Sequence, residues 1–296
     1  MNAFWIKTFV ALLALFPAGT FQTKSEGLKR SEVQSTNLND PISKGSQITC
    51  VDLFRRILPD LKTDSKDEAT AHQSIPLKSL SGDADAVALE SEIKISSFEL
   101  RRIRSEGNSL LLLRADLTAE DANQSTPYEG EASLIAVFRL EPKLELLDAV
   151  DIKTDRFSGF WGKNPVLALD SRNDAFVVYS THWNAGESYN DIYLLFIDRG
   201  RIRVITNQFI YNTQGCGVTF TETPFFQASP VAGRRYPNVL VSVKLKKDAD
   251  PENCSRRTPG FIRYYRGIYQ WNDAKGEYGA DTRQLERLDK FNKQRL

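Results

Sequence analysis

The apolar positions of this chain fall into short runs, not long helical stripes. The runs include "SLLLLRADL", "SLIAVFRL", "AFVVY", "DIYLLFI", "NVLVSVKL" and "FIRYYRGIYQW". They are rich in Leu, β-branched and aromatic residues and are divided by Gly, Pro, Asn and Asp, which predicts strands joined by turns. Helical spacing occurs twice. Val51, Phe54, Ile57, Leu58 and Leu61 share one helical face. Thr49 with Asp52 predicts the cap of that helix, and Pro59 predicts its end. In "DTRQLERLDKFNKQRL", Leu285, Leu288 and Phe291 predict a second helix, capped by Asp281 or Thr282; a frayed charged tail is the alternative.

Three stretches follow one order of strand, long loop, strand, tight turn, strand. They lie near residues 109–152, 174–211 and 238–280. Their leading strands are continuously apolar, which suits burial on both faces. The third strands of the first two stretches partly alternate, which suits exposure on one side. The expected fold is therefore mainly β. Repeated antiparallel meanders assemble as a propeller-like array or a stacked sheet, with a short N-terminal helix and a C-terminal one.

The N-terminus alters the picture of compartment. Lys7 precedes a short apolar core, Thr8 to Phe16, and a small-residue exit at Pro17 to Thr20. That is a signal-peptide pattern over residues 1–20. The run is far shorter than the roughly 18 residues a span requires, so no membrane span is expected in the mature chain. Residues 21–47 are polar and read as a flexible leader, and 48–296 as a single β-rich domain. A secreted or periplasmic protein follows. In an oxidising compartment Cys216 and Cys254, both in turn sequence, are expected to form a disulfide, leaving Cys50 as a small buried hydrophobe.

Charge and motifs narrow the chemistry. The 39 basic and 38 acidic side chains almost cancel, which argues against nucleic acid as a partner. No CxxC or HxxxH spacing predicts a metal site, and no phosphate loop, dinucleotide fingerprint or nucleophile elbow occurs, so no cofactor is expected.

"LALDSRNDAFVVYS" and "AVFRLEPKLELLD" resemble the acidic turn, apolar strand and outer hairpin of FG-GAP or VCBS-type propeller repeats in uncharacterised secreted bacterial proteins. The resemblance covers roughly residues 105–280 and implies a fold and a compartment. The calcium loop of such repeats is not reproduced around Asp170, Asn173 and Asp174, so calcium binding does not carry over.

The densest candidate site is "STHWNAGESYND", residues 180–191, read as the long first loop of the middle stretch. His182, oriented by Glu187 or Asp191, is a candidate general base, with Ser180 or Thr181 as nucleophile. As a binding loop, its Trp183 and Tyr189, with Trp161 of the neighbouring "DRFSGFWGKNP", make an aromatic rim for a glycan or protein. The expected function is a secreted, non-enzymatic binding or structural module recognising an extracellular or periplasmic ligand through these loops. The alternative is a secreted hydrolase using His182.

Overall fold

In a computed structural model the chain is described over residues 37–63, 69–80, 92–119, 131–152, 157–215, 217–249 and 259–295. The expected signal peptide, the leader up to residue 36 and the Cys216–Cys254 pair lie outside the described residues. A short helix, α1 (Cys50–Phe54), opens the fold after residues 37–49. Its cap is the expected one: the Thr49 amide donates to Asp52 at 2.9 Å and the Asp52 amide to the Thr49 hydroxyl at 3.4 Å. Residues 37–47 depart from the leader assignment, because Leu38 and Ile42 are buried in the core. Two apolar side chains in an otherwise polar tract anchor it, and composition averaged over the tract hides them.

Seven strands form the first sheet. They are β1 (Lys62–Thr63), β2 (Ala69–Ala71), β3 (Lys78–Ser79), β4 (Ile93–Ser105), β5 (Asn108–Ala119), β6 (Glu131–Arg139) and β7 (Glu145–Asp151). Their order is β1-β2-β4-β5-β6-β7-β3, with only β3 parallel to its neighbour. Nine strands form the second: β8 (Phe157–Phe160), β9 (Val166–Ala168), β10 (Asp174–Asn184), β11 (Glu187–Asp198), β12 (Arg201–Gly215), β13 (Val218–Ser229), β14 (Asn238–Ala249), β15 (Phe261–Asn272) and β16 (Glu277–Asp281). Eight run in the order β16-β15-β14-β13-β12-β11-β10-β8, and β9 also pairs with β10. Helix α2 (Arg283–Lys293) follows. Thr282 is its N-cap, and Leu285 and Leu288 are buried beneath it.

Three layers of core hold these sheets. The outer face of the first sheet packs under α1 through Leu111, Leu113 and Phe138. Its inner face meets the second sheet through Leu110, Leu112 and Val137, opposed by Phe176, Val178 and Leu195. The other face of β10 and β11 supplies Val177, Leu194 and Phe196 to a third core shared with Val241, Tyr269, Trp271 and Leu285. Alternation sends successive residues of β5 and β10 to opposite faces. That explains their continuously apolar sequences: each strand lies between two cores.

The second sheet turns back on itself. Strand β12 pairs with β11 along its length, but with β13 only at residues 213–215. Beyond that hinge β13 to β16 fold over the third core. The Thr206 hydroxyl of β12 reaches the Tyr269 hydroxyl of β15 at 2.7 Å across it. The three stretches noted in the sequence each form an antiparallel three-stranded meander: β5-β6-β7, β10-β11-β12 and β14-β15-β16. Of the two assemblies expected, the stacked sheet forms; among the described residues the meanders are not arranged as propeller blades.

Candidate functional site

The stretch 180–191 is a hairpin and not a loop. Strands β10 and β11 stay paired to the tip, with His182 opposite Tyr189, Trp183 opposite Ser188 and Asn184 opposite Glu187. Only Ala185 and Gly186 turn. Gly186 takes φ 87°, and a Cβ there would lie 2.7 Å from the Gln214 carbonyl oxygen, so glycine is required twice over. The ribbon runs past the packed cores, so both faces carry polar residues and no apolar alternation marks it as strand.

Strand alternation separates the predicted residues. His182, Glu187, Tyr189 and Asp191 share one face; Trp183 points to the other. On the shared face the His182 ring stands edge-on to Tyr189 at 5.8 Å, and Tyr189 stacks on Tyr211 of β12 at 5.1 Å. Both oxygens of Glu187 are engaged: Tyr189 donates to one, and Tyr211 donates to the other at 2.8 Å. These hydroxyls hold the Glu187 carboxyl below its usual range, the Tyr189 bond contributing most. Glu187 thus serves as a tie between two tyrosines. Asp191 lies one pleat further down, where burial pushes its pKa up against a hydrogen bond with Asn207. Ser180 is buried, opposite Asp191 on one side and Ser158 on the other. A hydrolytic site needs an accessible nucleophile beside its base, and this face offers a buried serine and a tyrosine-bound carboxylate.

Trp161 is an anchor. Its ring meets Tyr179 edge-on at 5.6 Å and packs against the third core. The preceding Phe160 is buried in the middle core. The segment read as a second aromatic loop is therefore β8 with its end, and the expected rim of Trp161, Trp183 and Tyr189 divides into an anchor, an exposed ring and a stacked ring on the opposite face from Trp183.

Two clusters that sequence reasoning missed lie deeper. Arg295 sits over the rings of Phe220, Phe291 and Tyr211 at 4.6, 4.8 and 4.9 Å, and its guanidinium donates to Glu222 and Asn292. Burial pushes the Glu222 pKa up, opposed chiefly by the Tyr211 amide and Arg295. The second cluster closes one end of the middle core. There Arg114 bonds Asp116, Ser158 at 2.9 Å and Ser97 at 3.0 Å, while Ser133 and Ser158 also donate to Asp116. Every member has a partner, so both clusters are structural networks; in the first, only Nη2 of Arg295 is hydrogen-bonded, and its buried Nε and Nη1 lie among the rings.

The open surface lies elsewhere. The described residues contain five exposed large apolar side chains: Trp183 at 42%, Phe225 at 36%, Ile262 at 53%, Tyr264 at 53% and Ile268 at 46%. Four of them share the outer face of β13 and β15. The pairings Phe225 with Ser242, Tyr264 with Lys244, Ile262 with Lys246 and Ile268 with Leu240 place them on either side of β14. Ile268 is a ridge between two open grooves. One, of about 800 Å³, is bounded by Arg234, Gln270 and Gly279. The other, of about 490 Å³, is bounded by Leu240, Arg266 and Arg287. Lys246 pairs with Asp248 and Arg283 with Asp281, each at 2.8 Å. Lys244, Arg266, Arg287 and Arg234 meet no carboxylate at that range among the described residues.

Among the described residues no three His, Cys, Asp or Glu side chains converge on a metal position, and no helix is long and apolar enough to cross a membrane. The chain matches no family model, no curated protein and no solved structure.

Proposed function

We propose that this chain is an exported, non-enzymatic binding module, and that it docks a protein on the outer face of β13 to β16. The observation that carries this reading is the concentration of Phe225, Ile262, Tyr264 and Ile268 on one sheet face, with Ile268 bordering two open grooves. Scattered exposed apolar residues need no explanation, but four of five gathered on one sheet face do. The composition favours a protein over a glycan. Sugar rings dock on aromatic faces, whereas two of these four side chains are isoleucines, which fit the apolar centre of a protein interface. Export rests on the signal-peptide pattern at the N-terminus.

Photo-crosslinking tests the reading. A benzophenone amino acid is placed at position 264, or at 183 as the hairpin control, in cells that make the chain, and the adducts are identified by mass spectrometry. The reading expects one defined protein adduct from position 264. An adduct from position 183 alone returns the site to the hairpin.

A further inference from the structure

The charges on the docking face narrow the partner further, and the inference rests on the reading of that face. Lys244 lies directly across the strand pair from Tyr264, and Lys246 from Ile262. Arg266 is next on the same face of β15, paired with Ser242, and Arg287 of α2 borders the groove beside it. Arg234 borders the other groove, within 3.3 Å of Asn238 and 3.4 Å of Gln270, both amide side chains. The face therefore interleaves apolar side chains with cations, and its carboxylates Asp248 and Asp281 are already paired. Elsewhere on the same chain arginines do find acids: Arg104 binds Asp174 at 2.8 Å, and Arg235 binds Glu106 and Asp198. What sets this face apart is that Lys244, Arg266, Arg287 and Arg234 lie beside exposed apolar side chains.

We infer that the partner is a protein segment that presents acidic and apolar side chains together on one side. A second copy of this chain fits poorly. In a two-fold dimer the patch meets itself, so a face carrying Lys244 and Arg266 would meet another cationic face, and like charges across an interface are strongly unfavourable. A purely anionic polymer fits poorly too, since it would leave Ile262 and Ile268 uncovered. An acidic amphipathic segment satisfies both parts of the face. Its carboxylates meet Lys244, Arg266 and Arg287, and its apolar side chains cover Ile262, Tyr264 and Ile268.

Three synthetic peptides of equal length and equal Leu and Phe content test this, one rich in Glu, one in Ser and one in Lys. Each is titrated into the full chain while backbone amide shifts are followed. The inference expects shifts on β14 and β15 with the Glu peptide, at least tenfold tighter than with the Ser peptide and weakening as salt rises. The Lys peptide should not bind. Equal binding of the Glu and Ser peptides on these strands overturns the acidic partner but leaves the docking face standing. The absence of shifts on these strands with every peptide overturns both. Heparin binding there as tightly as the Glu peptide overturns the amphipathic requirement. Peptide-free shifts on these strands that change with protein concentration assign the face to a second copy and overturn the inference.

Discussion

Glu222 and Arg295 meet at the seam between β13 and the residues after α2, with the carboxylate side chain 0% exposed and the guanidinium 10%. Three aromatic rings enclose the cation. Tyr211 connects the pair to the hairpin, donating its amide to Glu222 at 3.1 Å and its hydroxyl to Glu187 at 2.8 Å. The hairpin tip, the third core and the C-terminal residues are therefore one bonded unit.

Breaking that pair from one side strands a buried charge. Arg295→Met or Glu222→Leu should each lower stability by about 3–5 kcal/mol. The double variant should lose less than either single one, because it removes both charges together. Urea unfolding of the three variants measures this; a double variant whose loss is the sum of the two would show that the pair is not coupled.

The hairpin tie predicts a pH effect of known sign. Tyr189 first, and then Tyr211, hold the folded Glu187 pKa below its ordinary 4.5. A depressed carboxylate pKa stabilises the fold above the ordinary value, and that stabilisation is lost as pH falls through the folded value. Glu187→Gln should accordingly be less stable than the parent near pH 6, and the difference should shrink as the pH falls below 4.5 and through the lower folded value. Thermal melts across that range measure it; a gap that widens on acidification contradicts the tie.

Gly159 marks where Tyr179 crosses the short strand β8. A Cβ at this position would lie 2.8 Å from the ring carbon Cε1 of Tyr179. Gly159→Ala should cost about 1–3 kcal/mol by overpacking, and most of that cost should vanish in a Tyr179→Ser background. A cost that persists unchanged in that background would place the constraint in the backbone.

His182 distinguishes the binding reading from hydrolysis. His182→Ala removes the edge contact with Tyr189, a loss of about 0.5–1.5 kcal/mol, and should leave binding at the outer face unchanged. Turnover of ester or peptide substrates by the parent chain that disappears in His182→Ala would favour the hydrolase.

The sequence makes most of the fold legible and much less of the site. Strand runs, both helices and the cap at Thr49 are local features, readable because propensity, periodicity and turn residues agree. "STHWNAGESYND" misleads because a ribbon that extends beyond its cores carries polar residues on both faces, and such a strand has no apolar rhythm to betray it. "FIRYYRGIYQW" misleads in the opposite way. Tyr269 and Trp271 face the third core while Ile262, Tyr264 and Ile268 face outward, so both faces are apolar and the exposed one cannot be told from the buried one. The available signal was Arg266, which alternation places on the same face as Ile262, Tyr264 and Ile268, whereas Arg263 falls on the other. The Arg295 cage is invisible for another reason: its members come from β12, β13 and the C-terminal helix, and only the folded sheet brings them together.

The most direct measurement is the affinity of the partner crosslinked from position 264, purified and titrated calorimetrically into the parent chain, a Tyr264→Ser/Ile268→Ser variant and a Trp183→Ser variant. All three changes are at the surface, so melting should be nearly unchanged. The account predicts at least a tenfold weaker dissociation constant for Tyr264→Ser/Ile268→Ser and an unaltered one for Trp183→Ser. Unaltered affinity in the former, or an equal loss in the latter, would contradict it.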